Sequence, residues 1–435
     1  MWAYDSVFYQ LYPLGFCGAP WENDGTAYSR ISKITDWIPH IISMNADALY
    51  LSPVFESDAH GYDTRDYTKI DSRLGTNEEF AAVCRELHRS GIRVVLDGVF
   101  HHVGRGFWAF RDVVEKRESS PYRDWFFLDF GRDSGYGDGL WYEGWEGHYE
   151  LVKLNLRNGE LVDYLLSCVR GWVEQFDIDG LRLDVAYSLD REFLSRLRAF
   201  CDGLKPEFFL VGEMLHGDYR LLMREGGLHS VTNYECYKGM YSSFNSRNLF
   251  EIAHSLGRQF GPEDWTLYKG LHLFNFVDNH DVSRIATLLT RWEHLRLIYA
   301  LLFSMPGIPC VYYGSEWGAE GDKAQGDPRL RPAFDKPVDN ELSRWVAALA
   351  QAHKRSRALC HGSFRVLCLT NEQLVFEREG EGERVIAAIN AADQPYTAHF
   401  DARGGRGTDL LTGKAHDFGG GSGLPPLSAA LWRVD

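Results

Sequence analysis

Short apolar runs alternate with stretches of helical period from about residue 6 to about residue 355. The runs fall at 7–11, 48–51, 93–99, 180–185, 208–212, 231–234, 271–277 and 309–313. They are brief, apolar and seldom alternating, as parallel strands covered on both faces are. Between them, Phe80, Val83, Cys84 and Leu87 recur at i, i+3, i+4 and i+7, behind a Thr76/Glu79 capping box and ahead of Gly91. Similar stripes run through Leu161, Leu165, Cys168 and Trp172, through Phe193, Leu197 and Phe200, and through Leu342, Trp345, Val346 and Leu349. Eight strands alternating with helices predict an α/β protein, a closed (β/α)8 TIM barrel rather than an open sheet, on residues 1–100 and 156–357.

Residues 101–155 break the alternation. They are rich in Gly, Asp, Trp and Tyr, and an insertion so long is usually functional or a small subdomain. They predict a lobe inserted after strand 3 and overhanging the barrel mouth. Past Ala358 the runs 364–369, 373–378 and 384–390 are separated by polar turns, and eight glycines fall between Gly404 and Gly423. That pattern predicts a C-terminal antiparallel β-domain of sandwich type on residues 358–435.

With 435 residues there is ample chain for a barrel of about 250 and a further domain. The net charge of −15 argues against a nucleic-acid partner or an anionic membrane surface, either of which needs a basic patch. No run of 18 apolar residues occurs, so no membrane span is expected. Met1-Trp2-Ala3-Tyr4-Asp5 has neither the basic start nor the apolar core of a signal peptide. The eight cysteines form no C-x-x-C and read as buried free thiols in a reducing compartment, so a cytoplasmic location is expected. Aromatic residues make up 14% of the chain, and their faces suit flat neutral ligands such as sugar rings as well as a core.

Chemistry in such a barrel sits at the C-terminal strand ends. There the third run leads into Asp97-Gly98-Val99-Phe100-His101-His102, and the fourth reads Gly180-Leu181-Arg182-Leu183-Asp184. The fifth leads into Gly212-Glu213-Met214, and the seventh into Asp278-Asn279-His280-Asp281. A charge inside an apolar strand is expensive unless paired. Four such breaks on four strands are hard to explain as separate buried salt bridges. Two carboxyls, one ionised and one protonated, are what glycoside hydrolysis requires. Arg182 and Asp184, two apart on one strand, face the same side, so the cation would hold Asp184 ionised as a nucleophile. Glu213, among apolar neighbours, would keep its proton as general acid, and Asp281 beside His280 would stabilise an oxocarbenium-like charge.

These segments resemble, in order, the motifs of the α-amylase family of glycoside hydrolases (family 13), over nearly the whole chain. The resemblance implies Asp184 as nucleophile, Glu213 as acid/base and Asp281 as transition-state stabiliser. Asp97, His102, Arg182 and His280 would then hold the sugar or the nucleophile. His60-Gly61-Tyr62-Asp63-Thr64-Arg65-Asp66-Tyr67 is similar to the family's loop after the second strand. It implies substrate binding by His60 and stacking of Tyr62 on the sugar at the cleavage site. The run from Gly307 to Glu316 resembles the eighth-strand signature, and the loop from Gly326 to Arg331 implies hydroxyl binding by Asp327 and Arg331.

Within the family, Val152-Lys153-Leu154-Asn155 and Gly212-Glu213-Met214-Leu215-His216 resemble strings of the neopullulanase, cyclomaltodextrinase and maltogenic amylase group. The group's second string usually reads isoleucine-tryptophan where this chain has Met214-Leu215. That group carries an N-terminal β-sandwich that builds its dimer; with a first strand beginning by Val7, that domain is expected to be lacking, and monomer or homodimer stays open. The family's first motif places a calcium-ligating asparagine before its final histidine, and this chain has His101. Imidazole is a poor ligand for a hard cation, so no cofactor and no metal are expected.

The resulting expectation is a retaining hydrolase of α-1,4-glucosidic bonds in maltooligosaccharides, with cyclodextrins and pullulan as further candidate substrates. A 4-α-glucanotransferase or other transglycosylase or isomerase is the alternative within the family. From other classes come a non-catalytic sugar-binding scaffold and a metal-dependent hydrolase built on His101 and His102. The run Gly135-Tyr136-Gly137-Asp138-Gly139 has the wrong spacing for a dinucleotide fingerprint and reads as a turn. Trp141, Tyr142, Trp145 and Tyr149 are candidates both for sugar platforms and for packing of the lobe on itself.

Overall fold

The eight apolar runs become the eight strands of one parallel sheet. The computed structural model describes the backbone of residues 1–435 and every side chain but that of Glu225. The strands are β1 (Phe8–Leu11), β2 (Ala48–Leu51), β3 (Arg93–Gly98), β4 (Gly180–Leu183), β5 (Phe209–Gly212), β6 (Ser230–Val231), β7 (Phe274–Phe276) and β8 (Ile308–Tyr312). They pair in the order β6-β5-β4-β3-β2-β1-β8-β7. A parallel bridge between Thr232 and Phe274, with the Asn233 N–H donating to Phe274 O at 2.9 Å, closes the ring.

Side chains alternate along a strand. One set points into the barrel, where Phe8, Ala48, Tyr50, Val95, Phe209 and Phe274 belong to one apolar cluster. The other set, Tyr9, Leu49, Val94, Leu181 and Leu210 among them, joins the larger core shared with the helices. Two residues further along the inward set the character changes. Phe8 gives way to Gln10, Val95 to Asp97, Val211 to Glu213, and Gly180 to Arg182 and then Asp184. The floor of the barrel is therefore apolar and its C-terminal mouth polar.

Helices α1 (Lys33–Ser43), α2 (Asn77–Arg89), α3 (Gly159–Phe176), α4 (Arg191–Leu204), α5 (Tyr234–Ser246), α6 (Phe250–Phe260), α7 (His294–Ser304) and α8 (Glu341–Arg355) cover the strands. The capping box of α2 forms: Thr76 Oγ1 accepts from the Glu79 N–H at 3.2 Å and the Glu79 carboxylate from the Thr76 N–H at 2.8 Å. Trp345, read as part of a core stripe, is half-buried instead, with Arg296 stacked 4.7 Å from its ring. After β5 a single π-helical turn, Leu221–Glu225, stands where a full helix would. Gly226 and Gly227, poor helix formers, follow it at once.

After β3 the chain leaves the barrel for a lobe. Its three-stranded sheet, His102–Gly104, His148–Lys153 and Gly144–Trp145, is rooted by the pairing of His102 with Lys153. Past the barrel, β9 (Arg365–Leu369), β10 (Gln373–Gly380), β11 (Glu383–Asn390), β12 (Arg406–Asp409), β13 (Ala415–Asp417) and β14 (Ser428–Val434) form an antiparallel sheet ordered β9-β10-β11-β14-β12-β13. The facing layer is only a two-stranded ribbon, Tyr396–Ala398 with Ser422–Leu424, packed on Val375, Ile386, Ala388 and Trp432.

Candidate active site

The polar inward positions converge in a cavity of about 430 Å³ at the barrel mouth. Arg182 organises it. Its Nη1 donates to Asp97 Oδ1 at 2.9 Å and to Asp184 Oδ1 at 2.7 Å, and its Nη2 pairs with Glu213 Oε1 at 3.0 Å. The in-register pairing of Arg182 with Asp97 on β3 and Val211 on β5 makes this geometry possible. Three carboxyls thus share one guanidinium, each buried, and burial pushes Asp97, Asp184 and Glu213 upward against the pull of Arg182. At Asp184, burial works against the hold of Arg182 that the spacing leads one to expect.

Asp281 behaves oppositely. His280 Nε2 lies 3.1 Å from its Oδ2 and Arg331 Nη2 3.0 Å from its Oδ1. Against the cost of burial, these partners pull it down to about 2. His280 itself is driven by burial down to about 3 and is neutral at ordinary pH. Its Nδ1 accepts from Gln10 Nε2 at 2.9 Å, which leaves the proton on Nε2, toward Asp281 and the Tyr62 hydroxyl. Tyr62 and Tyr50 both donate to Asp97 Oδ2 at 3.0 Å, and the Tyr62 ring lies 9° from parallel with His280.

His102 is buried, neutral by desolvation, and 3.8 Å from Asp184 Oδ2 through an Nε2 that has no hydrogen-bond partner among the described residues. Its Nδ1 meets His101 Nδ1 at 3.2 Å. In the tautomer in which His101 donates there, the His102 proton sits on Nε2, facing Asp184. Asp327 and Arg331 meet at 3.1 Å, and Lys323 pairs with Asp327 at 2.8 Å. The loop bearing them comes close to the barrel because Gly15 has no side chain: a Cβ there would lie 1.9 Å from the Arg331 carbonyl oxygen. His60, on the opposite loop, stacks loosely on Tyr62 with ring centroids 6.2 Å apart.

All eleven residues singled out in the sequence therefore meet at one mouth. Asp184, Glu213, Asp281, His60, Tyr62, His102, Asp327 and Arg331 line the cavity, and Asp97, Arg182 and His280 touch them directly. Other participants carry weaker signals. Gln10 breaks an apolar strand as Asp97 does and was open to the same reading. Trp145, Tyr187, Tyr234 and Lys323 also line the cavity. Arg73 has no sequence signal at all. Fully buried, it is caged by Asp71 (2.7 and 2.9 Å), Ser57 Oγ (2.8 Å) and the carbonyls of Pro20, Trp21 and Ala59 (3.1, 2.6 and 2.7 Å). It ties the loop after β1 to the loop that carries His60 and Tyr62.

Comparison with known proteins agrees with this geometry. A family model of the alpha amylase catalytic domain matches residues 10–358. The chain is 30% identical over 473 residues to a cyclomaltodextrinase of Geobacillus thermopakistaniensis (strain MAS1), covering 100% of this chain and 78% of that protein. It is 32% identical over 392 residues to neopullulanase 2 of Thermoactinomyces vulgaris, covering 84% of this chain and 65% of that protein. The solved structure of cyclic alpha-maltosyl-(1→6)-maltose hydrolase from Arthrobacter globiformis, in complex with cyclic alpha-maltosyl-(1→6)-maltose, matches with a TM-score of 0.86 at 29% identity. That match covers 100% of this chain and 99% of that one. A barrel whose mouth gathers Asp97, Asp184, Glu213 and Asp281 around Arg182, and a family model spanning most of the chain, lead to one conclusion: this protein belongs to the alpha-amylase family of glycoside hydrolases.

Proposed function

We propose that the protein hydrolyses α-1,4-glucosidic bonds of maltooligosaccharides and cyclodextrins with retention of anomeric configuration. The observation that carries this reading is the single Arg182 fork holding Asp184 and Glu213 side by side. Retaining enzymes keep their two carboxyls about 5–5.5 Å apart, and inverting ones leave room for a water between them. In this reading Asp184, with Arg182 Nη1 at 2.7 Å, takes the role of the ionised carboxyl, and Glu213 keeps the proton that burial favours.

Glu213 then gives its proton to the glycosidic oxygen while an Asp184 oxygen attacks the anomeric carbon. The C–O bond to the leaving glucan breaks and that glucan departs as an alcohol. The ionised Glu213 next takes a proton from water, whose oxygen attacks the same carbon and releases Asp184 as carboxylate. Asp281, held ionised by His280 and Arg331, faces the positive charge that develops in both steps. The neutral His102, with its unpartnered Nε2, is placed to donate to a sugar hydroxyl.

The calcium implied by the family does not fit the donors present. At the asparagine position stands His101, engaged with His102, and the Lys153 ammonium bears on it; burial and that charge lower it to about 4. Activity is expected to survive exhaustive chelation. A cytoplasmic setting is supported by the eight cysteines, all of them free thiols. Among the described residues no helix is long and apolar enough to cross a membrane.

The test is a panel of maltotriose, cyclodextrin, pullulan and starch with chromatographic identification of products, and proton NMR of the first product formed. Glucose and maltose from maltotriose, released as α-anomers, support the reading. Longer chains from maltotriose would make the enzyme a transferase, and β-anomers would make it inverting.

A further inference from the structure

The end of the barrel opposite the catalytic mouth has its own cavity, of about 220 Å³. It lies between the segments that enter β7 and β8 (residues 269–272 and 306–307), the segment joining the barrel to the C-terminal sheet (residues 360–364), and Arg378 on β10. Its polar lining is one-sided. Lys269, His272, His361 and Arg378 border it, and no acidic residue does among the described residues. Burial holds His272 down to about 4 and so neutral, and the positive charge of the lining rests on Arg378 and Lys269.

Arg378 is the centre of the feature. Its side chain is 1% exposed, and its hydrogen bonds all go to backbone carbonyls: Nε to Ser363 at 3.0 Å, Nη1 to Ser304 at 2.7 Å and Nη2 to Gly362 at 3.0 Å. A guanidinium has five N–H donors, so one on each terminal nitrogen has no described partner. No carboxylate acts on it among the described residues, and burial lowers it to about 9, still charged at neutral pH. The last carbonyl of α7, at Ser304, offsets part of that charge through the negative end of the helix dipole. A buried cation with no counter-ion remains costly.

Asp5, which reaches His361 Nε2 at 2.6 Å, is also engaged by Arg357. His361 Nδ1 in turn meets His272 Nε2 at 3.1 Å. Lys269 Nζ, which donates to Pro262 O at 2.8 Å, keeps further N–H donors. A ligand that brought several oxygens and negative charge would satisfy the spare donors of Arg378 and Lys269, as a tetrahedral oxyanion does.

We infer that this cavity binds an oxyanion of the phosphate class, either inorganic phosphate or a phosphorylated sugar, and so clamps the C-terminal sheet to the barrel floor. A ligand that binds only the folded chain raises its melting temperature with the logarithm of ligand concentration.

The experiment uses the full chain, with scanning fluorimetry and titration calorimetry in a series of inorganic phosphate at constant ionic strength made up with chloride. The melting temperature is expected to climb with phosphate and the heat of binding to saturate. Lys269→Ala, which removes a side chain at the protein surface, should weaken binding about tenfold, and Arg378→Gln should abolish it. Neither residue borders the catalytic cavity, so hydrolysis should be unchanged. Glucose 1-phosphate is titrated in parallel. Tighter binding than inorganic phosphate identifies a phosphorylated sugar as the ligand, and equal or weaker binding identifies free phosphate. Absence of binding by both, or binding that Lys269→Ala leaves unchanged, overturns the proposal.

Discussion

Val185 donates its N–H to Glu213 Oε2 at 2.9 Å, from a backbone held at φ 48° and ψ 37°. A β-branched residue in the left-handed region is an outlier that costs on the order of 1–2 kcal/mol. The position is the residue after Asp184, so one strained turn both ends the strand that carries Asp184 and fixes the Glu213 carboxyl beside it. Strain of this kind persists where surrounding structure over-determines it, and here Val185 is buried.

Val185→Gly keeps the N–H and accepts the positive φ, but frees the turn. The bond to Val185 favours the ionised form of Glu213, so loosening it should raise that group further. A general acid works only while protonated. The basic limb of kcat/KM should therefore move to higher pH, while kcat falls about tenfold from lost positioning, or roughly 1.4 kcal/mol. A pH–rate profile on maltotriose checks both, and an unmoved basic limb would refute the coupling.

Glu213→Gln should lower kcat by about 10²–10⁴-fold, the usual contribution of a positioned general acid. Its effect on stability has the opposite sign. Because burial raises Glu213 above its ordinary value of 4.5, the folded protein binds this proton more tightly than the unfolded chain does. The resulting stabilisation is complete below pH 4.5 and is lost as pH rises through the folded value. Glutamine carries no such dependence. Denaturant unfolding from pH 5 to pH 8 should therefore show the wild type losing stability relative to the variant as pH rises.

Removing the cation at the centre of the Arg73 cage leaves Asp71 buried and unpaired, which costs about 3–5 kcal/mol. Arg73→Ala should lose that much in urea unfolding. Arg73→Lys keeps the charge but cannot reach three carbonyls, a hydroxyl and a carboxylate together. It should fold, with KM raised more than kcat is lowered, since the loop it anchors carries His60 and Tyr62 rather than the reacting carboxyls. Equal losses in kcat and kcat/KM would place its influence elsewhere.

At the foot of β4, Asp179 meets His88 Nε2 at 2.9 Å, Lys205 Nζ at 3.0 Å, Arg93 Nη1 at 3.2 Å and the Val94 N–H at 2.9 Å. Despite burial these partners bring it down to about 2. From an ordinary value of 3.8, that depression contributes about 2 kcal/mol above pH 3.8, lost as pH falls through 2. Asp179→Asn should be less stable by about that amount at pH 7, with the difference vanishing toward pH 2. A constant difference across that range would show that titration is not its source.

Much of the catalytic mouth was readable along the chain. Polar residues at the ends of apolar strands announced Asp97, Arg182, Asp184, Glu213 and Asp281, because a charge in such a place needs a reason. Period-two spacing put Arg182 and Asp184 on one side, since a strand has only two. The lobe and the antiparallel tail were visible as breaks in the alternation. The fifth barrel helix was not: in the span between β5 and β6 a π-helical turn stands in its place.

Other features depend on residues far apart in the chain, and no local pattern encodes them. Gln10 sets the tautomer of His280 across 270 positions, and Arg73 gathers carbonyls from two separate loops. The basic cavity exists because the linker and β10 pack beneath β7 and β8, so its residues come from five separate stretches of chain. Protonation is decided the same way. Residue types and their order along the strands specify which acids reach the mouth, because side-chain direction follows from backbone period. Which of them keeps a proton depends on how many carboxyls share Arg182 and how much water burial removes, and those are properties of the folded enclosure alone.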